Sequence, residues 1–194
     1  LEFRRVLFRS TKLAAATPAD DTDRVTIDAM RNRIELENET YEAGLHLRNM
    51  NVIASPAQGI RDIFDLSPTD TEENWTHLVG RMRAVADALA GYQASLKKGL
   101  EANDAPARRQ VEQVIEQANQ LTATDGFFIK FAANAMAGEQ ALPESLRADL
   151  AAAAREATDA YGRFGEFLKS ELLPGASTED GIGRERYGLL SRNF

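Results

Sequence analysis

The sequence predicts an all-α protein, a multi-helix bundle of long antiparallel helices, and three observations carry that expectation. The 194 residues include 31 alanines, and alanine is the best helix former. Apolar residues recur at steps of three and four, which aligns them along one face of a helix. No stretch alternates apolar and polar residues long enough to make a strand.

Taken in order, the first helix is expected over residues 21–48, opened by Asp and Thr cap residues and carrying Val25, Met30, Ile34, Tyr41 and Leu45 at near-helical spacing. Asn49-Met50-Asn51 interrupts it. Ser55-Pro56 restarts a short helix through Ile60, Ile63 and Phe64, because proline is tolerated in a first turn, and Ser67-Pro68 ends it. Thr69-x-x-Glu72 reads as a capping box, in which each end satisfies an orphan amide of the other. One long helix should follow, with a buried stripe of Trp75, Leu78, Val79, Met82, Val85, Leu89, Tyr92, Leu96 and Leu100. Asn103-Asp104 is expected to close that helix and cap the next, which has Pro106 near its first turn and Val111, Val114, Ile115, Ala118 and Leu121 on its inner face. Phe127, Phe128, Ile129 and Phe131 form a dense apolar knot that fits a further helix. The last long helix is expected over residues 143–173, with Leu146, Leu150, Ala154, Ala157, Tyr161, Phe164 and Leu168 inside and Pro174-Gly175 as its stop. Tyr187, Leu190 and Phe194 are still in helical register where the chain ends. Short loops between these segments favour a bundle, and no fixed-period repeat marks a solenoid.

Composition narrows the chemistry. Cysteine is absent, which removes disulfides, thiolate metal sites and cysteine nucleophiles together. Only His46 and His77 are available as imidazoles, about thirty residues apart, so no self-contained hydrolytic site is expected. A net charge of -7 and a pI near 5.0 give no basic footprint for nucleic acid or anionic lipid. No apolar run approaches the roughly 20 residues a membrane span needs. A cytoplasmic location is favoured, with the native N-terminus expected upstream of the sequence.

Residues 1–10, LEFRRVLFRS, carry three arginines against one glutamate in an otherwise acidic chain. A signal peptide would need an apolar stretch of about 7–15 residues, and Val6-Leu7-Phe8 is cut short by Arg9. Val6 to Ser10 resembles the translated end of a common short-read sequencing adapter. Residues 1–10 are therefore expected to be a scar, and residues 11–194 a helical portion of a larger protein, truncated at both ends.

The chemistry-bearing patterns are sparse. Glu42 precedes His46 by four residues, and Glu73 precedes His77 likewise. Neither pair is the Glu-x-x-His of carboxylate-bridged bundles or the His-x-x-x-His of zincins. Both read as exposed pairs that stabilise a helix by a few tenths of a kcal/mol. Gly181-x-Gly183 begins like a phosphate loop, but Arg186 stands at the third glycine and no strand precedes it. Ser55 lies in Ile-Ala-Ser-Pro rather than in a nucleophile elbow. Lys97-Lys98 and Arg108-Arg109 sit among acidic residues and read as solvated surface.

Three stretches in order carry a resemblance: Asn51-Val-Ile-Ala-Ser-Pro56 with Ile60-Arg61 and Phe64-Asp65, then Arg108-Arg109-Gln110-Val111, then Gly183-Arg184-Glu185-Arg186-Tyr187. They resemble the bacterial domain-of-unknown-function family number 885, over roughly residues 12–194. The resemblance implies a gluzincin-like zinc metallopeptidase, long and mostly helical, with a His-Glu-x-x-Pro-Gly-His stretch and a later glutamate ligand. None of those residues occurs in this chain, so no catalytic or metal-binding role carries over and no cofactor is expected in it. Zinc is expected in the complete protein, with the missing C-terminal catalytic half as this chain's partner and a peptide as the substrate. Asn51, Ser55, Arg184 and Tyr187 are the candidates for a substrate-facing wall: a guanidinium can grip a carboxylate with two hydrogen bonds, and a phenol can donate to a carbonyl. The alternative expectation is a stand-alone helical interaction or scaffold protein without enzymatic activity.

Overall fold

The structure, a computed structural model, describes residues 10–193 and is an all-α multi-helix bundle. Residues 1–9, which hold most of the expected scar, and Phe194 lie outside the described residues. Residues 10–14 are helical. The helices that follow are α1 (Asp21–Glu42), α2 (Pro56–Asp62), α3 (Glu72–Arg83), α4 (Val85–Glu101), α5 (Arg108–Leu121), α6 (Phe127–Ala133), α7 (Glu144–Phe167) and α8 (Arg184–Ser191). The described residues divide into two compact units, residues 10–46 with 181–193, and residues 47–180.

In the first unit, Asp20 caps α1 by accepting from the Asp23 N–H at 2.8 Å, and Asp21 and Asp23 complement the positive helix start. The helix expected to reach residue 48 ends at Glu42 instead. Gly44, at φ 72°, takes the left-handed conformation that glycine adopts without a Cβ penalty, and its N–H closes onto the Tyr41 carbonyl. A single 3-10 turn, Leu45–Leu47, follows. Of the expected stripe, Ile34 and Leu45 are buried, whereas Val25, Met30 and Tyr41 are exposed. Tyr41 stacks its ring on His46, with centroids 4.2 Å apart. Gly183, at φ 85°, precedes α8, which buries no residue of its own. Arg33 donates to Asn193 Oδ1 at 2.8 Å, and Arg192 grips Glu39 with both terminal nitrogens, tying α8 to α1. That grip holds the Glu39 carboxyl below its ordinary range.

The second unit is organised by α7, which packs against α3, α4, α5 and α6. Its inner face, Leu150, Ala153, Ala154, Ala157, Ala160, Tyr161 and Phe164, is buried, and Leu168 continues it beyond the helix. The expected 143–173 helix is α7 followed by one π turn, Leu168–Leu172, and a 3-10 turn, Leu173–Gly175, in which Pro174 removes the amide donor that another α turn would use. The Trp75 stripe is buried from Trp75 through Leu96, but on two helices rather than one, because Ala84 interrupts the run with ψ near -8°. Nothing in the local sequence explains that interruption.

Three further expectations are corrected. The cap of α3 is Thr71, which accepts from the Asn74 N–H at 3.2 Å, so Thr69 and Glu72 do not form the capping box. Thr69 instead offers its carbonyl to Trp75 Nε1 at 2.9 Å. Asn103-Asp104 does end α4, with Asn103 at φ 54°, but α5 starts after Ala107, and Asp104 pairs with Arg48 at 2.8 Å in a mostly buried ion pair. The Arg108 N–H donates to the Ser177 carbonyl at 2.7 Å and the Ser177 N–H to the Pro106 carbonyl at 2.9 Å, fastening the start of α5. A small antiparallel ladder, Met136–Ala137 with Gln140–Ala141, is present where no strand was expected. Gly138, at φ 61°, supplies the first central position of its two-residue turn.

Two glycines of α4 separate helix propensity from packing. A Cβ on Gly99 would lie 2.6 Å from the Leu47 carbonyl oxygen, whereas one on Gly91 would meet nothing within 4 Å. Gly99→Ala should cost about 1–3 kcal/mol by overpacking. Gly91→Ala should stabilise by up to about 1 kcal/mol through helix propensity. Urea unfolding of the two variants reads both signs, and equal shifts would contradict the close approach at Gly99.

Candidate functional site

The best-built cavity of the second unit grows from the loop before α2. Asn51 folds that loop on itself, its Oδ1 accepting from the Ile53 and Ala54 N–H groups at 2.8 and 2.7 Å. Ser55, 3% exposed, precedes Pro56 as the cap of α2, and both its N–H and its hydroxyl donate to Gln58 Oε1, at 2.9 and 2.5 Å. Gln58 Nε2 then donates to the Asn51 carbonyl at 3.1 Å and to Gln117 Oε1, on α5, at 2.5 Å. Gln117 Nε2 closes the circuit on the Val52 carbonyl at 2.9 Å. Two buried phenols moor the same segment from below, Tyr92 to the Asn49 carbonyl and Tyr161 to the Ala57 carbonyl, each at 2.7 Å. A short helix of seven residues, too short to be stable on its own, is thereby fixed by its neighbours.

Between α2, α5, α6, α7 and the turn before α6 lies a cleft of about 580 Å³. Its apolar surface comes from Val114, Ala118, Leu121, Phe127, Tyr161 and Phe164. Its charged groups are Arg61, Asp62, Asp125 and Lys130. Arg61 lies over the Phe127 ring, 3.9 Å from the centroid, and is paired with Asp62 at 3.1 Å and with Asp65. Lys130 pairs with Asp125 at 2.8 Å and holds that carboxyl below its ordinary range. Burial pushes the Tyr161 phenol upward, with the nearby Asp62 charge adding to it, and burial does the same for Tyr92. Both phenols stay neutral donors at physiological pH. A second, more open groove of about 790 Å³ runs beside α4 and α7, but its hydroxyls turn back on their own helix, Thr158 to Ala154 and Ser170 to Glu166.

The structure brings Asn51 and Ser55 together in the loop circuit, while Arg184 and Tyr187 lie on α8 in the other unit, Tyr187 being exposed. Glu73 and His77 are an exposed pair on α3, 3.7 Å apart. Among the described residues, no three His, Cys, Asp or Glu side chains come together as metal ligands. No helix among them is long and apolar enough to cross a membrane. Sequence reasoning missed Gln58 and Gln117. The first had a signal, since Ser55-x-x-Gln58 is itself a capping-box pattern. The second had none, because its partner is 59 residues away.

Fold and cleft together define the class: an all-α bundle with a part-apolar, part-charged cleft in its second unit. The family described as "Bacterial protein of unknown function (DUF885)" matches residues 4–194, and the chain belongs to it. No curated protein matches the chain. Of the three stretches that carry the resemblance, the first supplies the loop and α2 and places Arg61 in the cleft, whereas the second opens α5 ahead of the residues that line it.

The two raised phenols make a pH test. A group whose folded pKa lies above the ordinary value of 10.0 adds stability that is complete below pH 10 and is lost as pH rises toward the folded value. Unfolding free energy should therefore fall above pH 10, by up to about 1.4 kcal/mol per pH unit for each phenol. Tyr92→Phe and Tyr161→Phe combined should flatten that slope in urea titrations at pH 9 to 11 relative to the parent chain, and an unchanged slope would contradict the burial.

Proposed function

We propose that this chain is the non-catalytic helical part of a zinc-dependent peptidase, supplying a binding wall rather than reacting groups. The observation that carries the reading is family membership across residues 4–194, together with a cleft to which the first resembling stretch contributes Arg61. A catalytic zinc needs three protein ligands around an open position, and the described residues assemble no such set, so no step is routed through a metal on this chain. The reading puts the zinc motif in a longer protein, beyond Phe194. A gene whose reading frame continues past Phe194 into a His-Glu zinc motif is the expected result at the genomic locus, and a stop codon directly after Phe194 would overturn the reading.

Within the same proposal, Arg184 and Tyr187 are the substrate-facing candidates, since both side chains are exposed on α8 and α8 buries nothing. Asn51 and Ser55 act at one remove, by holding the loop that positions α2. In the complete protein, Arg184→Lys and Tyr187→Phe should each lower peptide turnover about tenfold, roughly what one lost charge-assisted hydrogen bond is worth. Zinc content and melting temperature should stay unchanged. Normal turnover in both variants would remove these residues from the substrate path.

A further inference from the structure

We propose that the cleft between α2, α5, α6 and α7 is a binding site for an uncharged ligand with an apolar body and a carboxamide group. Three observations carry it: the size of the cavity, the cancellation of its charges and the unspent bonding capacity of one fixed amide. About 580 Å³ is the size of a small-molecule site, and the apolar surface is continuous across three helices.

The charges that line the cleft cancel, two cations against two anions, and each is already engaged. Arg61 is held by Asp62 and Asp65 and stacked on Phe127, and Lys130 is held by Asp125. A charged ligand would have to break one of these pairs or remain unpaired against an apolar surface. A neutral ligand does neither.

Gln117 selects the head group. A carboxamide has two N–H donors and two acceptor lone pairs. Gln117 spends one donor on the Val52 carbonyl and one lone pair on Gln58 Nε2, both bonds fixing its plane. One N–H and one lone pair remain on a side chain that lines the cleft. That donor and acceptor complement the acceptor and donor of a second amide. The orientation is set before the ligand arrives, so little entropy is lost in using it. Gln120, also lining the cleft, keeps a carboxamide with no partner among the described residues.

This inference rests on the cleft alone, and its read-out needs neither zinc nor turnover, so it can fail while the peptidase reading stands, and the reverse. The probe is N-acetyl-phenylalaninamide, titrated into the 194-residue chain and followed by backbone amide chemical shifts. Binding on the order of 1 mM is expected for a ligand of that size, with shifts at Gln117, Gln120, Phe127 and Lys130. N-acetyl-phenylalanine, which carries a carboxylate, and phenylalaninamide, which carries an ammonium, should each bind at least about fivefold more weakly, the cost of an unpaired charge at a half-buried site. A capped pentapeptide with Phe at its centre separates the two sources of the same chemistry: tighter binding than the single residue assigns the site to a polypeptide, weaker binding to a free small amide. Gln117→Leu should abolish the shifts. Should that variant unfold, Ala123→Phe, on an exposed turn that lines the cleft, should block binding while leaving the amide circuit intact. Equal or tighter binding of either charged analogue, shifts confined to other surfaces, or no shifts at all would overturn the proposal.

Discussion

The second unit depends on how closely four helices can approach α7. Ala153, Ala154 and Ala157 are fully buried and Ala160 nearly so, and Gly165 extends the row toward the C-terminus. At Gly165 an added Cβ would lie 3.4 Å from the Ala118 Cβ of α5, at the near limit of ordinary contact. Small residues allow the backbones to close, and the larger Tyr161, Phe164 and Phe167 fill the spaces that remain. Interiors packed to crystal-like density tolerate little change in such a row, since overpacking costs about 1–3 kcal/mol per site. The alanine content that first suggests helix thus has a second role, in setting how near the helices lie.

The cleft is a consequence of the same arrangement. Where α7 turns from alanines to Tyr161 and Phe164, α2 is tied to α5 by the Gln58–Gln117 hydrogen bond, and both helices line the cleft. The phenol of Tyr161 reaches across to the Ala57 carbonyl and fixes the floor. A part-buried polar circuit keeps its shape because breaking any of its bonds leaves an amide group without a protein partner. The loop of residues 49–55 is accordingly ordered both by its own Asn51 and Ser55 bonds and by side chains far along the chain, Tyr92 and Gln117.

What was legible in the sequence followed from periodicity. The Trp75 to Leu96 stripe, the inner face of α7 and the helical Phe127 knot were all readable as threes and fours, because burial of one face is written directly into residue order. Boundaries were less legible. Gly44 ends α1 by taking a left-handed φ, yet Tyr41 and Leu45 continue the apolar spacing across it, and spacing outweighed a single glycine. Thr69 and Thr71 offer two cap candidates two residues apart, and the one chosen in the fold leaves Thr69 free to accept from Trp75. The candidate site was least legible, since its centre is an amide pair 59 residues apart, of which only Gln58 carries a local pattern and nothing in the sequence marks Gln117.

The single tryptophan has a further meaning for how the molecule can be observed. Trp75 is 4% exposed, lies against Phe131 at 5.1 Å between ring centroids, and shares its indole N–H between the carbonyls of Thr69 and Met136. Its ring therefore sits where the entry to α3, the helix α6 and the small hairpin meet. The chain has an intrinsic optical reporter for residues 47–180, and its emission should shift to longer wavelength as soon as any of those three pieces separates. Residues 10–46 and 181–193 hold no indole but do hold Tyr41 and Tyr187, so the tryptophan emission of this protein, unlike its absorbance, is a record of one unit rather than of the whole molecule.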